Sequence, residues 1–356
     1  MNLQKYFHAA NHRRTMVAIV GLAVLTMTTN YQAQGIAQPK PPGDFVFPGE
    51  RLTTNHQIMT IADARPPEPR TLTGHSEAVV TVAVSADGKT LASASYDKTV
   101  KLWDIKTGNL IKTLNHPYQV NGLVWKSDGK TLAVVNGNEV IIWNVTTGKA
   151  LKTLKGSDGF WSVTWSPDGK KIAAGSWNKT ITLWDTNTGK VIKNLTGHTS
   201  EVYSVAWSPD SKTLASGSGD STIKLWDGTT GKLITTLNEH QGTVYGLAWS
   251  PDGKTLASGC TDRTIKLWNT TTGKLIKTLN GHSDAVGSLA WNADSKTLAS
   301  SSADKTIKIW DVNTGKLLKT LNRHQDVVLS VAWSADGKTL ASSSRDTIIK
   351  IWNLND

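Results

Sequence analysis

A tryptophan recurs seven times at nearly constant spacing, at Trp103, Trp143, Trp184, Trp226, Trp268, Trp310 and Trp352. The successive steps are 40, 41, 42, 42, 42 and 42 residues. Self-similarity at such a period means that one supersecondary unit is repeated, and that each copy buries its apolar faces against its neighbours rather than alone. A length of 356 residues would ordinarily suggest two domains, but a repeat array closed on itself uses it as one.

The copy from His240 to Trp268 shows the unit. Val244–Trp249 has strand composition, and Ser250-Pro251-Asp252-Gly253 reads as a type I turn, with Pro setting φ and Gly ending it. A second strand follows from Thr255. Thr261-Asp262-Arg263 turns into a third that closes on Trp268, and Thr271-Thr272-Gly273 turns into a fourth. Four short antiparallel strands per repeat predict an all-β fold, a seven-bladed β-propeller. Seven third strands are present, but the chain stops at Asp356, too soon for a seventh fourth strand. Pro69–Thr73, just before His75, stands where other copies have theirs. It is expected to complete the last blade and lock the ring, with Pro67 and Pro69 tolerable on an outermost strand.

Ser208-Pro209-Asp210 and Asp262-Arg263-Thr264-Ile265-Lys266-Leu267-Trp268 are close to the WD-repeat consensus, and residues 67–356 resemble that family. The resemblance implies a hydrogen-bonded set of His, Ser or Thr, Asp and Trp in each blade. Matching positions are His75, Ser93, Asp97 and Trp103; His198, Ser216, Asp220 and Trp226; His240, Ser258, Asp262 and Trp268; His282, Ser300, Asp304 and Trp310; and His324, Ser342, Asp346 and Trp352. Two serines, such as Ser93 and Ser95, share one strand face, so the serine itself stays open. Blade two keeps His116 and Trp143 but is a residue shorter at Asn136-Gly137-Asn138 and lacks the Asp. Blade three carries Ser157 for the His and Asn178 for the Asp. Both blades are expected to be less rigid or held by other contacts.

His, Ser and Asp together invite a hydrolase reading, but a catalytic triad is needed once and this trio recurs five times in register. No H-E-x-x-H, P-loop or EF-hand pattern is present, and Gly217-Ser218-Gly219 lacks the third glycine and helix of a dinucleotide loop. No enzyme activity, cofactor or metal is expected. The single cysteine, Cys260, excludes an intrachain disulfide. It reads as a small buried residue at a strand end, and no neighbouring His or Lys supports the alternative of a reactive thiol.

Residues that differ between copies are free to serve function. In the family it resembles, one face carries the fourth-to-first and second-to-third strand connections. The inner first-strand positions of that face are Val80, Asn121, Trp161, Tyr203, Tyr245, Gly287 and Leu329, and Tyr96 and Trp177 precede the turn. Trp161, Trp177, Tyr203 and Tyr245 thus cluster on blades three to five, with Tyr96 on blade one. Clustered exposed aromatics are what interface hot spots are made of. The competing reading is local packing that replaces the His and Asp missing from blade three. As a binding patch, the cluster suits another protein or peptide, or alternatively a sugar ring or cell-envelope surface, with the protein acting as a monomeric interaction scaffold.

The formal charge is +11, or +8 without Lys5, Arg13 and Arg14 of residues 1–37, which hold no acid. Lys149, Lys190, Lys232, Lys274 and Lys316 give a mildly basic underside that reads as general solubility, with contact with an anionic surface as the sharper alternative. The basic residues are dispersed by the repeat, which argues against nucleic acid. The basic start, the 13-residue apolar run Thr15–Met27 and the small-x-small site Gly35-Ile36-Ala37 read as a secretory signal peptide over residues 1–37. An uncleaved anchor over residues 15–29 and an organelle transit peptide are the alternatives. Residues 38–66 are Pro-rich and read as a linker. The propeller, 67–356, is therefore expected to be periplasmic or secreted.

Overall fold

A computed structural model describes residues 68–354, which form seven four-stranded antiparallel sheets. Six sheets use four consecutive strands. The seventh combines Val328–Trp333, Thr339–Ser344 and Ile349–Asn353 with Arg70–Leu72. Arg70 pairs with Ile351 and Leu72 with Ile349, so the ring closes as the strand count predicts. Leu72 is 4% exposed and packs with Val79, Trp103, Ile349 and Ile351, which joins the closing blade to blade one.

The core lies between blades. Ile223, Leu225 and Leu237 of blade four meet Val244, Leu247, Leu256 and Trp268 of blade five in one cluster, and the same pattern recurs around the ring. Each such aliphatic side chain contributes roughly 1.5–3 kcal/mol when fully buried. Second strands such as Thr255–Cys260 are buried on both faces, which explains their small residues: the next blade sits directly against them.

Two features place the functional residues. Every first strand slips register near its start, between Phe160 and Ser162, Val202 and Ser204, and Val244 and Gly246, for example. The residues left out of the ladder include Trp161, Tyr203 and Tyr245, and a bulge of this kind re-aims the side chain it frees. The second feature is a series of ties between outer strands and the next blade. Lys112 Nζ donates to Thr146 O at 2.9 Å, Lys152 Nζ to Thr186 O at 2.9 Å, Lys193 Nζ to Thr230 O at 2.7 Å and Lys277 Nζ to Asn313 O at 2.7 Å. Arg70 takes this role in the closing strand and donates to Ile105 O at 2.9 Å.

Candidate functional site

Five blades carry the complete set. In blade five, Trp268 Nε1 donates to Ser258 Oγ at 2.8 Å, Ser258 Oγ meets His240 Nε2 at 2.7 Å, and His240 Nδ1 meets Asp262 Oδ2 at 2.8 Å. The same bonds join His75, Ser93, Asp97 and Trp103; His198, Ser216, Asp220 and Trp226; His282, Ser300, Asp304 and Trp310; and His324, Ser342, Asp346 and Trp352. The structure therefore selects Ser93 over Ser95, which bonds the Glu77 carbonyl instead. Donor chemistry fixes the direction of the chain. Indole N–H only donates and carboxylate only accepts, so with a neutral imidazole Nδ1–H donates to Asp and the serine hydroxyl donates to Nε2. Burial would raise the Asp220 carboxyl, but donors from Thr222, the Thr199 amide and His198 outweigh it and hold it at about 2. Burial keeps the His198 imidazole below its ordinary value. The five serines are fully buried, each accepting an indole N–H, so no substrate reaches them as nucleophiles.

Blade two has lost this set. Val134 occupies the serine's register position, and the turn tightens to Gly137-Asn138 between paired Asn136 and Glu139. Both ring nitrogens of His116, and Trp143 Nε1, are buried with no partner. Burial alone lowers the His116 imidazole to about 4.

Blade three departs differently from the sequence reading. The residue in register with the histidines is Gly156, not Ser157: its amide donates to Asn138 O at 2.8 Å, as the His116 amide does to Lys98 O. The loop is one residue shorter than expected. A Cβ on Gly156 would lie 2.1 Å from the Phe160 ring, because that ring fills the imidazole's space. Phe160 meets Trp184 edge-on at 5.5 Å, as the histidines meet their own tryptophans. Ala174 stands at the serine position. Asn178 retains the turn role of Asp by accepting from the Thr180 amide, and it donates to Ser157 Oγ.

A second tryptophan column ties blades together. Trp125, Trp249, Trp291 and Trp333 donate to the preceding blades' Ala83, Ala206, Ala248 and Ala290 carbonyls at 3.0, 3.0, 3.0 and 3.1 Å. Trp165 and Trp207, in the same column, have buried indole N–H groups with no acceptor. Their junctions flank blade three, which thus lacks its internal set and both of these ties.

Trp161, Trp177, Tyr203 and Tyr245 come together as the sequence suggests. Trp177 meets Trp161 at 5.4 Å, Trp161 meets Tyr203 at 5.3 Å, and Tyr203 meets Tyr245 at 5.0 Å. All four are partly buried. Trp177 lies over Gly159, where a Cβ would come within 2.9 Å of its ring, so glycine is what admits the indole. Burial, with Tyr245 and Glu201 nearby, pushes the Tyr203 phenol up to about 12 and keeps it a neutral group. Tyr96 does not join. It sits in the field of Arg345 on blade seven and makes no ring contact with the four.

Cys260 gains a neighbour that its sequence context did not show. His240 and Asp262 place their ligand atoms within 4.8 Å of its sulfur and of each other. Both ring nitrogens of His240 are already engaged, and burial pushes the thiol up to about 12. These residues are committed to the blade and fit a metal poorly.

Closed ring and repeated hydrogen-bond sets together define a β-propeller built of tryptophan-terminated blades. The WDR19 first beta-propeller model matches residues 80–238, and the WD domain, G-beta repeat model matches 231–269, 273–311 and 315–353. The chain belongs to the WD-repeat β-propeller family. It is similar to Coronin-7 of Mus musculus, 44% identical over 68 residues, 18% of this chain and 7% of that protein. It is also similar to eukaryotic translation initiation factor 3 subunit I of Neurospora crassa, 42% identical over 62 residues, 17% of this chain and 18% of the relative. A chromatin assembly factor 1 subunit of Gallus gallus is 36% identical over 73 residues, 20% of this chain and 13% of that protein. The chain thus matches only a small part of each relative's length.

Proposed function

We propose that this chain is a non-catalytic interaction platform that presents the aromatic face of blades three to five to another protein or peptide. One observation carries the reading: three first-strand bulges and one turn bring four aromatic rings into a continuous row. A closed ring fixes the strands that carry the row, so little backbone has to be ordered on binding. The relatives' names, an initiation-factor subunit and an assembly-factor subunit among them, fit a role in assemblies. We further propose that the protein is exported and works as a monomer. Export rests on Lys5, Arg13, Arg14, Thr15–Met27 and Gly35-Ile36-Ala37, which lie outside the described residues. Cell fractionation tests it, with a cytoplasmic propeller as the refuting result.

A photo-crosslinking side chain at Tyr203 tests the face, with one at Lys254 on the opposite turns as the control. Adducts are expected from position 203 and none from 254, and Trp161→Ala should remove them while the melting temperature is kept. The reverse labelling pattern would sink the assignment. Unfolding of Trp161→Ala and of Trp161→Phe alike would show that the rings belong to the scaffold.

A further inference from the structure

We propose that the aromatic row takes an extended, proline-rich segment in the polyproline II conformation. The proposal rests on the reading of this face as the binding surface and names the chemistry of its ligand. Three successive ring contacts of 5.0 to 5.4 Å make a strip. At a rise of 3.1 Å per residue, about five residues in polyproline II conformation lie along it.

Two donors of the strip, Trp161 Nε1 and Trp177 Nε1, are buried with no partner. Buried donors are nearly always bonded, so two orphans on rings in contact call for an acceptor. The nearby carboxylates do not bond them: Asp158 Oδ1 accepts from the Gly159 amide, and Glu201 Oε2 accepts from Ser200 Oγ. The site therefore presents two unpartnered donors beside aromatic faces. A proline-rich segment is its complement, because each proline offers a carbonyl oxygen and no N–H. It is also extended before it binds, so little ordering is required. A sugar fits less well, since every hydroxyl brings a donor that needs an acceptor. A cation fits less well too, because Lys179 lies in the field of Glu201.

The indole N–H groups must turn outward to reach ligand carbonyls, and blade three is where the ring gives most easily. Gly156, Ala174 and Asn178 replace its internal set, and Trp165 and Trp207 leave the ties at its two junctions unmade. Local opening of this kind belongs to the less tightly bonded parts of a fold.

The test uses the full chain and follows the indole N–H resonances by NMR, assigned through single Trp→Phe variants. Three probes are titrated: decaproline, a Gly-Ser decapeptide and cellohexaose. Decaproline should shift the Trp161 and Trp177 resonances downfield in a saturable way, and the Gly-Ser peptide should not. Trp161→Phe keeps a ring but loses the donor, and should weaken decaproline binding roughly five- to tenfold, the size of one neutral hydrogen bond. Unmoved indoles with decaproline, or wild-type affinity in both Trp161→Phe and Trp177→Phe, would overturn the proposal. If cellohexaose alone shifts the two resonances, the face is right and its ligand class wrong. If no probe acts and position 203 also yields no crosslinked partner, both readings fall.

Discussion

Acidifying the protein from pH 7 to pH 4 should cost about 3 kcal/mol through His116 alone. The group lies 6% exposed, with both nitrogens unpartnered, and its imidazole is lowered from 6.5 to about 4. A depressed histidine makes the unfolded chain bind its proton first. Stability therefore begins to fall as the pH drops through 6.5, declines most steeply between 6.5 and 4, and levels off below 4 once the folded imidazole is itself protonated. At about 1.36 kcal/mol per pH unit, the loss reaches about 2 kcal/mol by pH 5 and about 3 kcal/mol by pH 4. The paired aspartates contribute in a separate window. Asp220, held at about 2, loses its stabilisation only as pH falls below 3.8. The control is His116→Phe, because blade three already places Phe160 edge-on to its closing Trp184 in this way. Urea midpoints of both proteins, followed by circular dichroism, should separate progressively between pH 6.5 and 4, with the variant the more stable. Parallel curves in that range would refute the argument, since His116 would then carry no differential proton binding.

Ser258→Ala leaves Trp268 Nε1 and His240 Nε2 buried without a partner and should destabilise by about 2–4 kcal/mol in urea unfolding; a change below about 1 kcal/mol would contradict the set's structural role. Gly156→Ala should cost about 1–3 kcal/mol by overpacking against Phe160, and Phe160→Leu should relieve most of it; simple additivity in the double-mutant cycle would show that the two residues do not compete for space. Arg70→Ala removes the closing strand's tie to Ile105 O and should lower stability by about 1 kcal/mol. Hydrogen exchange should then quicken first at Arg70–Leu72, and uniform quickening around the ring would count against a local tie.

Period and spacing made the ring legible in the sequence, down to the closing strand, because a missing fourth strand in one copy can be counted. The five complete sets were legible too, except for the choice of serine. Ser93 and Ser95 lie on one strand face, and only the structure shows which meets the indole. In blade three the sequence points to the wrong register, because Ser157 follows Gly156 as His75 follows Gly74, while the loop is a residue shorter. Phe160 did leave a signal, since every other copy has a valine there, but only the structure shows that its ring fills the imidazole's space. The unmade ties of Trp165 and Trp207 are invisible in sequence. Their local context matches that of Trp249, and the difference lies in how the blades meet. Repeat position places Tyr96 with the aromatic row, yet the geometry gives it Arg345 as a neighbour instead.

Lys350 Nζ reaches Thr71 Oγ1 across 279 residues of chain, at the seam where the first strand joins the last blade. On the ribosome, Arg70–Leu72 emerges early and waits until Ile349–Asn353 has been made. Contacts so distant in sequence form slowly, and the loop they close is nearly the whole propeller. A chain whose translation ends early would hold six blades and an unpaired ribbon, with an apolar blade face uncovered. The ring is thus finished only when Ile349–Asn353 has been made, and quality control would need to recognise only that open seam to find an unfinished molecule.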